Sequence, residues 1–450
     1  MVPHHLLPPD QKCFCNTGVV LTTAPFSSTM PMESNCHFSA LGQRAQSPTI
    51  ARLMVTALEK PELLSLAAGF TDNATLPSES VVEAVTRLAR KKDKEALQYG
   101  MNQGRPGLRV LLAQHFRNWE PTLSNTENDD KFFVTNGSQQ ALYLAMQVLC
   151  DPGDIVLVDR PSYFVYLEML RGMGVQARSI PVNSDGLVDE AALGALIDGL
   201  KSSGNIARLK AVYFVSYYSN PSSRSLSLAE KIGIADGLKR AEVVLPVIED
   251  AAYRDLYFEK ASAVPSVVGI DAWQDFPKLY LSTLTKPFAS GLKIGYGYCS
   301  DREWLAKMLH TKGHHDFGSA HFNQAILEEV LADGGLSRQL ALIRPAYQRK
   351  MRVLHETLSE EGLLSAGWKW QVPDGGLYLW LEAPEGIDTG LDSGFCQSCI
   401  DEGVLYVPGE LCFGDDSPTN FVRLSYGVLG AKDLREAGRR FAKVAVAKRS

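Results

Sequence analysis

Leu279-Tyr280-Leu281-Ser282-Thr283-Leu284-Thr285-Lys286-Pro287-Phe288-Ala289-Ser290-Gly291-Leu292-Lys293 passes from an apolar stretch into a junction of small and turn-forming residues. A short apolar run bounded in this way reads as a buried strand. In an α/β protein the carboxyl end of such a strand is where a reactive group is displayed, and Lys286 stands there. Taken alone, a lysine in such a junction is usually an ordinary exposed residue. What the other strand ends carry decides between the two.

Upstream the same punctuation recurs. Phe132 to Thr135, Ile155 to Asp159, Ala211 to Tyr217, Val243 to Glu249 and Leu279 to Leu284 read as strands, with helices expected over Gln139 to Leu149, Tyr163 to Met173 and Leu228 to Leu238. This alternation predicts a layered α/β domain. Runs such as Ile155-Val156-Leu157-Val158, apolar on both faces, require a mainly parallel sheet covered from both sides. Earlier, residues 81 to 90 and 107 to 117 form amphipathic helices around the turn-like Tyr99-Gly100-Met101-Asn102-Gln103-Gly104. Ser47-Pro48 reads as the cap and first turn of a helix carrying Ile50, Leu53, Met54 and Leu58 on one face.

After residue 330 the pattern changes to α+β. Leu336, Leu340, Ile343, Tyr347, Met351, Leu354 and Leu358 form a long helical stripe in which Pro345 is expected to introduce a bend. Strands at Leu377 to Leu381 and Phe421 to Ser425 and a helix from Ala431 to Val444 follow. The expected organisation is a disordered extension over 1–38, an arm and part of a small domain over 39–95, a large domain over 96–330, and the rest of the small domain over 331–450.

With 450 residues, 45% of them hydrophobic, the chain can bury a substantial core. Its formal net charge of -6, from 45 basic and 51 acidic residues, argues against nucleic acid as a partner. No apolar run reaches the length of a membrane span, and residues 1–30 lack a secretory pattern. A cytoplasmic protein without a membrane partner is expected. The eight cysteines are too sparse and irregular for a disulfide framework, and Cys396 and Cys399, spaced CxxC, fall on a helix with no second pair or histidine at matching spacing. No metal is expected.

Three groups complement Lys286. Asp250, in Pro246-Val247-Ile248-Glu249-Asp250-Ala251-Ala252-Tyr253, follows a buried strand directly. A carboxylate fixed there suits a protonated ring nitrogen, and Tyr253 can reach the same face. Asn220, in Tyr218-Ser219-Asn220-Pro221-Ser222-Ser223, closes another strand and donates from its amide. Asn136-Gly137-Ser138-Gln139-Gln140 lies at a helix amino terminus, where uncommitted donors and the dipole favour a phosphate; by itself it reads equally well as an ordinary cap. Together these residues describe a site for a phosphorylated aromatic aldehyde held by lysine as a Schiff base, and pyridoxal 5'-phosphate is the candidate.

On these residues the chain resembles the fold-type I pyridoxal-phosphate enzymes, specifically the class I/II aminotransferases of the 2-aminoadipate, kynurenine and aromatic branch. The resemblance implies a three-layer α/β sandwich with a central, mainly parallel seven-stranded sheet plus a smaller α+β domain. It also implies that Lys286 bonds the cofactor, Asp250 pairs with its ring nitrogen, and Asn220 and Tyr253 bind its ring oxygen. Ser138 and Gln139 hold the phosphate, with Thr283 and Thr285 from Ser282-Thr283-Leu284-Thr285-Lys286. Tyr163, in Asp159-Arg160-Pro161-Ser162-Tyr163, matches the aromatic that stacks on the ring. Tyr99 matches the residue that crosses a homodimer interface to the other subunit's phosphate. Gly69, Asn220 and Arg423 match the α-carboxylate site; an arginine in an apolar strand also needs an anion or polar partner on purely physical grounds, and its fork suits a carboxylate.

Two departures stand out. The family commonly has arginine where Lys293 stands, which retains the charge but loses the planar fork. Asn220-Pro221-Ser222-Ser223 and Ser290-Gly291 replace the usual Asn-Pro-Thr-Gly and Pro-Gly. The expected activity is transfer of an amino group between an L-amino acid and a 2-oxo acid, with Lys286 as general base. Arg44-Ala45-Gln46-Ser47-Pro48 resembles the substrate-covering arm of the branch, which points to aromatic, bulky aliphatic or 2-aminoadipate-like substrates. One alternative is β-elimination or decarboxylation on the same cofactor. The other is a non-catalytic ligand-binding regulator domain, disfavoured because residues 1–38 are too short and too neutral for a DNA-binding domain.

Overall fold

The computed structural model describes residues 36–49, 55, 60, 62–92, 94–120, 129–416 and 418–447. The chain divides into two compact units, Met1–Gln43 and Arg44–Ser450. The expected extension over 1–38 and the helical face at 50–58 fall almost wholly outside the described residues.

The second unit is built on a seven-stranded sheet of β1 (Phe132–Asn136), β2 (Ile155–Val158), β3 (Gln176–Ser179), β4 (Leu209–Val215), β5 (Val247–Asp250), β6 (Lys278–Thr283) and β7 (Ile294–Cys299). The strand order is β1-β7-β6-β5-β4-β2-β3. Pairs from β6 through β3 are parallel, whereas β7 runs antiparallel to both β6 and β1. Every residue of β2 and β5 is buried, as helices on both faces of a parallel sheet demand. Helix Gly137–Leu149 covers one part, with Leu142, Ala145 and Met146 inward. Helix Leu228–Arg240 starts on a capping box in which Ser227 and Glu230 satisfy each other's backbone.

A four-stranded sheet, ordered Val407–Pro408, Phe421–Ser425, Tyr378–Glu382, Lys369–Trp370, is antiparallel throughout. Leu64–Ser65 pairs with Val404–Leu405, so a segment from early in the chain joins this C-terminal region. Helix Gly335–Glu360 runs unbroken through Pro345. Pro345 and Ala341 both lie on its exposed side, where water can take the carbonyl that the missing N–H would have bound.

Other boundaries also differ. The strand expected from Val243 begins at Val247, directly after Pro246, and the helix expected from Tyr163 begins at Phe164. Strands β3 and β7 and helices Glu190–Ser202, Arg302–His315 and His321–Ala332 had no counterpart in the sequence reading.

Beneath β5 lies a fully buried ion pair. Lys231 Nζ is 2.7 Å from Glu249 Oε1 and also donates to Tyr217 Oη at 3.2 Å and the Pro265 carbonyl at 2.9 Å. Glu249 further accepts from Ser216 Oγ at 2.5 Å, the Val267 N–H at 3.0 Å and Ser266 Oγ. Successive strand residues face opposite ways, so Asp250 points to the other side of the sheet.

Candidate active site

At the carboxyl ends of these strands is a cavity of about 120 Å³. Lys286, Asp250, Tyr163, Asn220 and Tyr253 line it, as do Ser138, Gln139, Thr283, Thr285 and Lys293. Ten of the residues singled out in the sequence thus meet in one place. Asp250 ends β5 and Thr283 ends β6. Tyr163, at the cap of helix Phe164–Met173, makes no side-chain capping bond, so its ring is left to line the cavity.

The antiparallel strand explains how the rim is assembled. Because β7 is reversed, its first residue Ile294 sits at the rim opposite Asn136, the last residue of β1. Gly295 then meets the cradle directly: a Cβ there would lie 2.4 Å from Gly137 C and Ser138 N. Only glycine allows that approach. Gly137 itself has φ +70° and opens the helix whose first-turn amides Asn136 does not cap. Thr283 Oγ1 lies 2.8 Å from Thr285 Oγ1. Two hydroxyls, helix-end N–H groups and the Lys293 ammonium form a donor set suited to a phosphate dianion.

At the other end, Lys286 Nζ donates to the Gly69 carbonyl at 2.5 Å. Burial lowers its pKa, the neighbouring Tyr378 raises it, and the Arg423 and Lys293 charges lower it; the net direction is down. Asp250 is pushed up to about 6 by burial, against hydrogen bonds from the Ala252 N–H at 3.0 Å and Tyr213 Oη at 3.2 Å, with the Glu249 charge adding to the rise. A buried carboxylate in that condition gains from a cation placed against it. A protonated pyridine nitrogen meets that need, and the lysine, the carboxylate and the phosphate cradle together fit pyridoxal phosphate.

Arg423 is 1% exposed and stands in register with Trp380 on the small sheet. Its Nη1 donates to Asn220 Oδ1 at 2.7 Å and its Nη2 to the Ala67 carbonyl at 2.6 Å. Its buried Nε has no hydrogen-bond partner, an orphaned donor that an incoming carboxylate would satisfy. Gly69 and Arg423 therefore adjoin the cavity through Lys286 and Asn220. Tyr99 lies elsewhere: it is 80% exposed and rests edge-on against Phe317.

Sequence reasoning missed Tyr378. Its hydroxyl is 3.1 Å from Tyr253 Oη and 3.5 Å from Asn220 Nδ2, and its ring lies 4.3 Å from the Arg423 guanidinium. The available signal was a tyrosine in an otherwise apolar strand, since a buried hydroxyl requires a partner. Asp374-Gly375-Gly376 lies just before that strand, and the Asp374 carbonyl accepts from the Phe258 N–H. Arg44 lies along helix Phe164–Met173, donating to the Gly172 carbonyl at 3.2 Å.

A fold of this topology, with a lysine and a carboxylate at the strand ends and a phosphate cradle between them, defines a pyridoxal-phosphate enzyme of fold type I. Residues 61–441 match the family described as aminotransferase class I and II. The chain is 29% identical to 2-aminoadipate transaminase of Thermus thermophilus over 398 residues, 88% of this chain and 93% of that protein. It is 28% identical to aromatic-amino-acid aminotransferase 1 of Thermococcus litoralis over 417 residues, 92% and 94% of the two chains. The crystal structure of Pyrococcus horikoshii kynurenine aminotransferase in complex with PMP superposes with a TM-score of 0.81 at 26% identity, covering 91% of this chain and 97% of that one. The chain belongs to the class I and II aminotransferase family. It is a pyridoxal-phosphate-dependent enzyme that moves an amino group between an amino acid and a 2-oxo acid. Among the described residues no helix is long and apolar enough to cross a membrane.

Proposed function

We propose that Lys286 is the nucleophile and general base of this aminotransferase, and that its donors are aromatic, bulky aliphatic or 2-aminoadipate-like amino acids. The observation that carries the role of Lys286 is its placement: a buried amine of lowered pKa in the cavity that Asp250 lines, beside an Arg423 that retains an orphaned N–H. Bound pyridoxal phosphate supplies an aldehyde carbon and an electron-accepting ring. Asp250 holds a proton on the ring nitrogen by charge pairing. Ser138, Gln139, Thr283, Thr285 and Lys293 would hold the phosphate, Tyr163 would pack on the ring, and Asn220 and Tyr253 would hold the ring oxygen. Arg423 and Asn220 grip the substrate α-carboxylate against the Gly69 backbone. That grip would leave the Cα proton within reach of Lys286 Nζ, which as a neutral amine can take it up and give it back.

The substrate class draws support from the two curated relatives and the kynurenine aminotransferase structure, and from the Arg44–Pro48 segment. Two further readings belong here. The exposed Leu97, Tyr99, Met101 and Phe317, between 58% and 80% accessible, support a homodimer in which Tyr99 serves the partner's phosphate; sedimentation as a fully active monomer would remove it. The architecture also supports the division at residues 95 and 330, testable by limited proteolysis.

The test of the main reading is a donor screen on the loaded protein with 2-oxoglutarate as acceptor, reading glutamate formation. Turnover with phenylalanine, kynurenine, leucine or 2-aminoadipate is expected. Release of ammonia with a 2-oxo acid from a single substrate would assign lyase chemistry instead, and turnover confined to small donors would overturn the substrate class.

A further inference from the structure

The turn that follows helix Arg302–His315 makes contacts with the phosphate cradle that none of the roles above explains. Asp316 accepts from Asn136 Nδ2 at 3.0 Å, Gln140 Nε2 at 2.9 Å and Ser319 Oγ at 3.0 Å on one oxygen. On the other it accepts from Lys312 Nζ at 2.9 Å and, more weakly, from the Gly318 N–H at 3.3 Å. The Lys312 side chain is fully buried. The turn beyond it has three successive residues at positive φ, Phe317 at 43°, Gly318 at 107° and Ser319 at 25°. Two of these are not glycine, so the conformation costs free energy and persists only because its surroundings hold it.

Asn136 and Gln140 flank the cradle, and the direction of their amides matters. An asparagine at a helix N-cap ordinarily turns its Oδ1 onto the N–H groups of the first turn. Asn136 occupies that position before Gly137–Leu149 and makes no such bond, because its amide is drawn away to Asp316. Gln140 uses its Oε1 to accept from the Asn136 backbone N–H at 2.8 Å and its Nε2 for Asp316. The helix end is thus tied down from outside while its own cap residue is kept off it.

We infer that Asp316 is a positioning residue for cofactor binding: it holds the Asn136 side chain away from the amino terminus of helix Gly137–Leu149, leaving those first-turn amides for the phosphate. This rests on the reading of the cavity as the pyridoxal-phosphate site. Without the acceptor at 316, Asn136 is released to cap its own helix and competes with the phosphate for the same donors.

The experiment loads the full-length protein with pyridoxal phosphate and, in parallel, with pyridoxal, which lacks the phosphate, and measures both dissociation constants. Asp316→Ala, which removes the acceptor, is expected to weaken pyridoxal phosphate about five- to tenfold, the worth of one cap interaction, and to leave pyridoxal unchanged. Adding Asn136→Ala to Asp316→Ala is expected to restore the phosphate preference. Equal loss for both ligands, no loss for either, or no restoration in the double variant would each overturn the inference. If the unpartnered Lys312 prevents Asp316→Ala from folding, Asp316→Ala with Lys312→Met removes that charge and reads the same ratio. A wild-type protein that does not prefer the phosphorylated ligand, and whose Lys286 borohydride fails to label, would instead refute the site itself.

Discussion

Glu249 and Asp250 are adjacent acids on one strand, both buried, and they differ in nearly everything else. Glu249 faces Lys231 and collects bonds from two serines and a backbone amide. Burial raises its pKa, but the Lys231 charge and these hydrogen bonds outweigh it, so its carboxyl is held below the usual range. Asp250, on the opposite face, has two bonds from neutral donors and is pushed up to about 6. The first acid is complete within the chain; the second has two neutral partners and faces the cavity. A buried charge left short of a counter-charge, in a cavity, marks function better than burial or charge alone.

Substitutions at the two faces should separate the two kinds of acid. The largest effect belongs to the ligand-facing side: Lys286→Ala is expected to abolish turnover and the bound cofactor's visible absorbance, and normal transamination by that variant would break the assignment. Next, Asp250→Asn should fold normally yet lose about 10²- to 10³-fold in kcat/KM, the scale for removing one preorganised electrostatic partner. Glu249→Gln should show the reverse. It strands Lys231 without its counter-charge, costing about 3 kcal/mol in denaturant unfolding, with kcat/KM of the folded fraction nearly unchanged.

pH sharpens the contrast. The pKa of Asp250 is higher folded than unfolded, so in cofactor-free protein its contribution to stability is full below about pH 4 and is lost as pH rises towards about 6. The pKa of Glu249 is lower when folded, so its contribution is present above the ordinary glutamate range and is lost as pH falls through the folded value. Denaturation curves across pH 3–7 should therefore change on opposite limbs in Asp250→Asn and Glu249→Gln. The smallest expected effect is at Lys293, where Lys293→Arg restores a planar fork and should tighten pyridoxal phosphate by about two- to fivefold in equilibrium titration.

Much of this site was legible because its residues lie at strand ends, where local pattern betrays position. Lys286, Asp250, Asn220 and the Gly137-Ser138 cradle each follow an apolar run, and Arg423 declared itself by being charged inside one. What escaped notice depends on distant partners. Asp316 looks like an ordinary acid after a pair of histidines until the fold sets it against Asn136. Tyr378 reads as a strand aromatic until its hydroxyl meets Tyr253 and Asn220. The reversal of β7 was hidden because Ile294–Cys299 alternates glycine with tyrosine, which weakens the apolar signal of a buried strand, and no periodicity states direction.

That reversal also decides how Lys286 is held in place. A strand running back beside β6 needs no crossover helix, so Lys286 rides in the compact loop 284–293 of a hairpin, pinned at both feet by ladder bonds between neighbours in sequence. Contacts this local can close on microsecond timescales, whereas β1 must reach β7 from more than 150 residues away. The Lys286 amine is thus seated by contacts close in sequence, while Arg423 comes to the same site from residues more than a hundred positions later.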